Sequence, residues 1–470
     1  MRIQQSGEAV SALIAWLKQY AGANRAVGYL LLARIWQFGA GLVTVTFLLR
    51  SYSDEFRDHY YLFSNLLALQ TFAELGLPMI LIILASHEWS GLQLTPAGEV
   101  TGEPSALQRL ASLDRFATRW FRVCAVLMLA GIGFAGWEFS RGKSEYSLVW
   151  QIPWWATVAI NAWTLTYLPR LSLLEGCNQL VMINFVRICQ AVTGSLAVWA
   201  CLGSGAGIWS LAVANLVRGA WECYLVEGYY RRFFQSLRQA PESAERISWK
   251  REIWPLQWRL ALQSVAGYFS TYFFVPVLYK YGREGEAGQM GMTWSILSTI
   301  QHTSLSWVQT RTPEFGMLAA RRDLDTLEKR LFRTGCLAVG VFLLGAASFW
   351  LLLAGLHWQG FGVVNGFLPL STTAVLILGL TAVQVALVQH VYVRIHKRDP
   401  YVVIGTFSSL AVAGLVWYFG SRYGAWGLAW AYTGFCFAYT LPVAVTILLI
   451  YRKQFRAEAV AAEQQSRSAS

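Results

Sequence analysis

The stretch Gly207-Ile-Trp209-Ser-Leu211-Ala212-Val-Ala214 returns later in the chain as Gly424-Ala-Trp426-Gly-Leu428-Ala429-Trp-Ala431. Both fit G-x-W-x-L-A-x-A, and each opens an apolar run of about 20 residues, enough to cross a bilayer core as helix. Three further pairs keep the same order. Ser64-Asn-Leu66-Leu-Ala-Leu-Gln70 matches Ser295-Ile-Leu297-Ser-Thr-Ile-Gln301, and Gln37-Phe-Gly-Ala40-Gly41 matches Gln263-Ser-Val-Ala266-Gly267. The pattern R-x-F-R stands at Arg119–Arg122 and again at Arg330–Arg333. Each match alone is weak, because membrane helices draw on few residue types. Four in register are hard to obtain by accident, so the chain reads as a duplicated unit.

Composition agrees with a membrane location. Of 470 residues 55% are apolar and 14% charged, with mean hydropathy +0.40. Soluble domains carry about 25% charge. Twelve apolar segments are predicted: 28–49, 59–86, 119–138, 149–169, 180–202, 208–229, 255–279, 287–310, 331–354, 367–392, 400–419 and 425–450. Pro255 and Pro400 fit the starts of the seventh and eleventh. The expected fold is an all-α multi-pass membrane protein, with twelve transmembrane helices in two pseudo-symmetric six-helix bundles. Because six is even, the halves are parallel repeats about an axis normal to the membrane, the architecture of transporters. The expected organisation is a cytoplasmic amphipathic arm (1–26), a first bundle (27–230), a basic linker (231–254), a second bundle (255–450) and a disordered tail (451–470).

Orientation follows from the loops. With the N-terminus inside, cytoplasmic segments hold 27 of the 38 Lys and Arg, the opposite side holds seven, and four lie within spans. That asymmetry places both termini in the cytoplasm. It also accounts for the net charge of +12 without invoking nucleic acid. The seven cysteines sit in or beside apolar runs and read as packing residues. No P-loop, H-E-x-x-H, C-x-x-C or Rossmann glycine pattern occurs, and the six histidines form no ligand set. No cofactor, metal or catalytic residue is expected. A membrane enzyme of lipid-linked glycan assembly is the second class to weigh, but it would need a larger outer loop than the dozen or so residues around Gly355–Val364.

Chemistry concentrates in the few charges inside spans. Arg34, Arg187, Arg218 and Arg259 are the arginines, and a central arginine costs roughly 2.5–3.5 kcal/mol on insertion scales. Arg259 sits beside Trp258 in the first turn of its helix, where snorkelling to the interface is the plain reading. Snorkelling and a cavity-facing role compete evenly for Arg34 and Arg187. Arg218 is mid-span and has Glu222 one helical turn away. Glu74, in Glu74-Leu-Gly76-Leu-Pro78, lies where glycine and proline predict a kink. Three roles are open to it: pairing with an arginine, carrying a coupling proton, or facing water. Gln37, Gln70, Gln263 and Gln301, with Asn161 and Gln190, add polar lining, for which interhelical hydrogen bonding is the alternative. Four arginines against two clear acids predict a cationic cavity, and arginine clusters grip phosphate bidentately.

The order of these elements resembles the polysaccharide transporters of the multidrug/oligosaccharidyl-lipid/polysaccharide flippase superfamily. The features that carry it are Arg34, then Phe63-Ser64-Asn65-Leu66-Leu67-Ala68-Leu69-Gln70 running into Glu74-Leu-Gly-Leu, Leu174-Glu175-Gly176, and Pro255-Leu-Gln257-Trp258-Arg259. The likeness runs from about residue 25 to 450. It implies a flippase that moves undecaprenyl-pyrophosphate-linked oligosaccharide across a bacterial inner membrane by alternating access. It further implies cation roles for Arg34, Arg187, Arg218 and Arg259, and leaves room for a polysaccharide polymerase or export machinery as partner. The other branch of the same superfamily, ion-coupled drug or cation exporters, would want an acidic cavity instead.

Overall fold

The computed structural model describes residues 25–140, 147–241, 248–396 and 400–468. The expected arm 1–26 therefore falls almost wholly outside the described residues. Helix dominates, and among the described residues the strands are confined to one hairpin, β1 (Leu92–Leu94) against β2 (Val100–Gly102), with Leu92 facing Gly102. By contacts the chain forms two compact units: the first holds the described residues up to Ser51 with Gln70–Ala261, the second Tyr52–Leu69 with the described residues from Leu262 onward.

In the first unit, α1 (Arg25–Ser51) packs on α8 (Leu180–Gly203), and α8 on α9 (Trp209–Cys223). Between them in sequence run α3 (Thr71–Glu74), α4 (Leu77–Trp89), α5 (Pro104–Ser140), α6 (Ser147–Leu165) and α7 (Leu168–Gly176), and α10 (Arg231–Gln239) follows α9. In the second unit, α2 (Asp54–Leu67) joins α12 (Phe274–Tyr281), α13 (Glu286–Ala320), α14 (Leu324–Trp358), α15 (Leu370–Ile395), α16 (Tyr401–Phe435) and α17 (Leu441–Ser468). Helix α11 (Trp254–Thr271) runs from the first unit into the second. Pro255 lies in the first turn of α11, and Pro400 immediately precedes α16.

Each predicted apolar segment falls on helix, but the number of crossings is not fixed at twelve. Among the described residues five helices are long and apolar enough to cross a membrane, or seven when each of two bent pairs counts as one span. Interior breaks and polar residues divide or dilute the rest. One bend, of 46°, falls between Asp54–Glu74 and α4. There Leu75 and Gly76 adopt φ of 47° and 69°, and Pro78 follows in the first turn of α4. A Cβ on Gly76 would lie 2.4 Å from the Leu260 Cβ, so only glycine admits this approach of α11.

The units do not follow the expected boundaries of 27–230 and 255–450. Tyr52–Leu69 joins the second unit because α2 seats on the glycine face of α13, where a Cβ on Gly291 would run into the Tyr61 ring. The Asp58 carboxylate accepts the backbone N–H of Gly285 (2.8 Å) and Gly288 (2.6 Å), capping α13 from a distant part of the chain. His59 Nε2 and the Tyr279 hydroxyl share a hydrogen bond of 2.8 Å. The linker 231–254 stays with the first unit, where Arg109 bridges Glu88 and Glu252, each at 2.8 Å. The expected disordered tail 451–470 is instead helical through Ser468. Its Ala, Glu and Gln are good helix formers, and Arg452 and Arg456 anchor it on Glu328 at 2.6 and 2.7 Å.

The octapeptide repeat takes a shared form in both units. Gly207 has φ 58° and Gly424 φ 62°, each at a helix entry or kink. Leu211, Ala212, Leu428 and Ala429 are buried after them, while Trp209 and Trp426 are exposed.

Candidate functional site

The polar interior of the first unit is built on α9. Gly219 carries no side chain because a Cβ there would strike Trp163 and Thr164 of α6, and this close approach puts Arg218 and Glu222 beside the polar residues of α6 and α8. Arg218 Nε donates to Glu222 Oε1 at 2.9 Å, the one-turn pair expected from the sequence. Its side chain is 41% exposed, and its two terminal nitrogens make no hydrogen bond among the described residues. Glu222 has only 6% of its side chain exposed, and its Oε2 is buried, with the Gln190 amide as its neighbour.

Neighbouring helices supply the surroundings. Gln190 Nε2 on α8 donates to the Arg218 carbonyl oxygen (3.2 Å), and the Trp221 indole N–H reaches Thr193 Oγ1 (3.0 Å). Arg187 donates to Asn184 Oδ1 at 3.0 Å and forms a salt bridge with Glu175, while its side chain stays 44% exposed. Glu74 accepts from Gln70 Nε2 at 2.5 Å, and Gln70 Oε1 accepts from Asn161 Nδ2 at 3.0 Å. Glu74 is near enough to Arg218, and Glu222 to Arg187, for direct electrostatic interaction.

The structure thus brings Gln70, Glu74, Arg187 and Arg218 of the sequence-derived set into one network, joined by Asn161, Gln190, Glu175 and Glu222. Gln37 is exposed on α1, and the Arg34 side chain lies outside the described ones. Arg259 is exposed, its guanidinium 5.4 Å from the Trp258 ring. Gln263 and Gln301 belong to the second unit. Gln301 is buried and donates to the Leu380 carbonyl oxygen (3.4 Å), while Gln384 donates to Ser304 Oγ (2.8 Å). That is interhelical bonding rather than a lining.

The expected excess of positive charge needs correction. Within the described part of this network Glu74, Glu175 and Glu222 stand against Arg187 and Arg218. Glu175 was missed as a partner because it precedes Arg187 by a helix turnover at residues 177–179, where Asn178 takes φ 59°. The acids are nevertheless occupied: two by arginine, one by glutamine. What remains uncommitted and exposed is guanidinium.

No family model and no curated protein matches the sequence, but solved structures share its fold. A lipid II flippase, MurJ, in an inward closed conformation matches with a TM-score of 0.61 and 12% identity, covering 90% of this chain and 87% of that one. An inward-facing multidrug resistance transporter of the MATE family, of the MOP superfamily, gives 0.57 at 14% identity, covering 88% and 98%. A point mutant of the Vibrio cholerae MATE transporter VcmN gives 0.56 at 12% identity, covering 95% and 98%. The chain shares the fold of these three structures.

Proposed function

We propose that this chain is a transporter that flips a polyprenyl-pyrophosphate-linked oligosaccharide across the bacterial inner membrane, with twelve spans in two repeats and both termini in the cytoplasm. The observation that carries the reading is Arg218. It commits only Nε to Glu222 and leaves two terminal nitrogens uncommitted on a half-exposed side chain. Two parallel N–H donors match a phosphate oxygen pair, and a pyrophosphate headgroup presents such pairs. Arg187, paired but half-exposed, would add a second contact. Arg34 and Arg259 are assigned the same cationic role, and Gln37, Gln70 and Gln263 the sugar-facing lining, with Gln301 left out because it bonds the Leu380 carbonyl. Glu74 is the acid assigned to ion coupling.

An ion-coupled exporter of cationic drugs is the second reading, favoured by the half-buried carboxylate of Glu74 and by the MATE fold neighbours. It would need an acid with uncommitted, accessible oxygens, whereas Glu74 already bonds Gln70 and Glu222 is buried.

Surface glycan display, with protein level controlled, separates the two. Removing a hydrogen bond to a charged group costs about 1.5–3 kcal/mol, or roughly ten-fold or more in affinity. Arg218→Ala should lower display by that order, and Arg218→Lys should also lower it, because the charge stays while the two-pronged geometry goes. Normal display from both variants, together with lost resistance to cationic dyes, would transfer the protein to the exporter reading.

A further inference from the structure

The hairpin β1–β2 and helix α10 enclose a cavity at a distance in sequence from the ionic network. The hairpin links α4 to α5 and α10 follows α9, so both stand where predicted apolar segments end or begin. Two hydrogen bonds hold them together. Arg232 Nη1 donates to the Ala97 carbonyl oxygen at 3.0 Å, and the Val100 N–H donates to Ser236 Oγ at 3.3 Å. The other face of α10 is buried through Phe233, Phe234 and Leu237. The cavity measures about 370 Å³, within the range of small-molecule sites, and its walls include Glu99, Val100, Leu107, Arg232, Gln235 and Gln239.

Glu99 and Arg232 are the charges of these walls, and they do not answer each other. The turn fixes Glu99: its N–H donates to Thr95 Oγ1 (3.1 Å), and its carbonyl oxygen accepts the Thr95 N–H (2.9 Å). Neither its carboxylate nor the Arg232 guanidinium enters an ion pair among the described residues. Nearby cations are committed elsewhere, Arg238 to Glu227 and Arg109 to Glu88 and Glu252. A purely anionic ligand would meet the acid, and a purely cationic one the guanidinium. A zwitterion satisfies both. Arg232 keeps Nε and Nη2, a fork that fits phosphate, and a carboxylate suits the N–H donors of a primary ammonium. Val100 and Leu107 add an apolar wall. Tyr224 and Tyr229 are exposed on the segment leading into α10, and such aromatics settle at the headgroup level of a bilayer.

We infer that this cavity binds the phosphoethanolamine headgroup of a membrane phospholipid, with phosphate on Arg232 and ammonium on Glu99. The inference is independent of what the chain transports.

Native mass spectrometry of the full chain in detergent, titrated with lipids of identical acyl chains, tests it. Phosphatidylcholine keeps the zwitterion but has no ammonium N–H, and phosphatidylglycerol keeps the phosphate without an ammonium. Phosphatidylethanolamine should bind roughly ten-fold more tightly than either, the worth of a charge-assisted hydrogen bond. Glu99→Gln should erase that preference, and Arg232→Gln should weaken phosphatidylethanolamine by a similar factor. Arg231, exposed but outside the walls, is the control. Equal binding of the three lipids by the wild type would overturn the site, as would a preference that survives Glu99→Gln. So would an Arg231→Gln loss as large as that of Arg232→Gln, since the attraction would then be that of a basic surface. Soluble glycerophosphoethanolamine competing as tightly as the lipid would overturn the membrane source. If Arg232→Gln fails to fold without its Ala97 bond, Glu99→Gln still decides. Glycan display is not read, so failure here leaves the flippase reading untouched.

Discussion

The second and eighth of the predicted apolar segments start alike and then part company. Ser64–Gln70 and Ser295–Gln301 match, but the first continues as Glu74-Leu-Gly76-Leu-Pro78 and the second as Leu305-Ser-Trp307-Val-Gln309. The first breaks at Leu75–Gly76, whereas the second runs unbroken within α13. Glutamine follows suit: Gln70 serves an acid, and Gln301 serves a backbone carbonyl. The sixth spans repeat the lesson. Arg218 and Glu222 lie eleven and fifteen positions after Gly207, where counting from Gly424 gives Phe435 and Tyr439. The second segment carries an acid and a break where the eighth carries neither, although a bend of 45° between Gln257–Thr271 and Phe274–Tyr281 interrupts the seventh as well.

The strongest way to break this contrast is to give the second unit the acid of the first. Leu305 is buried, and Leu305→Glu places a carboxylate there without the arginine that Glu74 has. A charge at such depth costs at least roughly 2.5–3.5 kcal/mol. Folded yield in detergent should drop sharply, whereas Glu74→Leu should fold. Wild-type yield from Leu305→Glu would mean that the second unit holds a compensating cation or water path.

A second comparison sharpens the repeat itself. Both octapeptide glycines have positive φ, but Gly424 also takes ψ −152°, and a Cβ on it would lie 2.7 Å from a Glu286 carboxylate oxygen. That carboxylate accepts the Ala425 N–H at 3.3 Å. Conformations of this kind cost a side-chain-bearing residue about 1–3 kcal/mol. Gly424→Ala should therefore destabilise by the upper part of that range and Gly207→Ala by the lower, measured as thermal unfolding in one detergent. Equal effects would show that the Glu286 contact contributes nothing.

Much of this was legible in the sequence, for a local reason. Helical segments, repeat glycines and the Gly76–Pro78 break are written in consecutive residues, and each appears in the structure where the pattern put it, although the count of twelve crossings does not. The Arg218–Glu222 pair is equally local, at one helical turn. Long-range arrangements were not readable. Asp58 caps a helix that begins more than 200 positions later, since its bond to Gly285 spans 227 residues. That capping moves Tyr52–Leu69 out of the first unit. The Glu175–Arg187 bridge depends on how one short turn orients two helices, so a count of charges along the chain overstated the positive excess. The helical tail escaped notice because its composition suits disorder as well as helix until Glu328 is seen to anchor it.

The smallest effect concerns the charged clamps that end each unit. In the second, Glu328 gathers Arg452 and Arg456 onto one carboxylate. In the first, Arg109 is the shared partner, between Glu88 and Glu252. Glu252 also accepts the Ser248 backbone N–H at 2.9 Å, and that bond, with Arg109, holds its carboxyl below the usual glutamate range. A depressed folded value means that the ionised form is what the fold stabilises. The contribution is complete above the ordinary glutamate value of about 4.3 and is lost as pH falls through the lower folded value. Because the groups are partly exposed, it amounts to no more than about 1 kcal/mol and shrinks with salt. Glu252→Gln should thus lower the unfolding temperature slightly at neutral pH, and the gap to wild type should close on acidification below that range. A gap that stays constant with pH would mean that Glu252 acts through packing alone. A gap that widens in acid would reverse the sign and remove the clamp from the account of how the linker is held to the first unit.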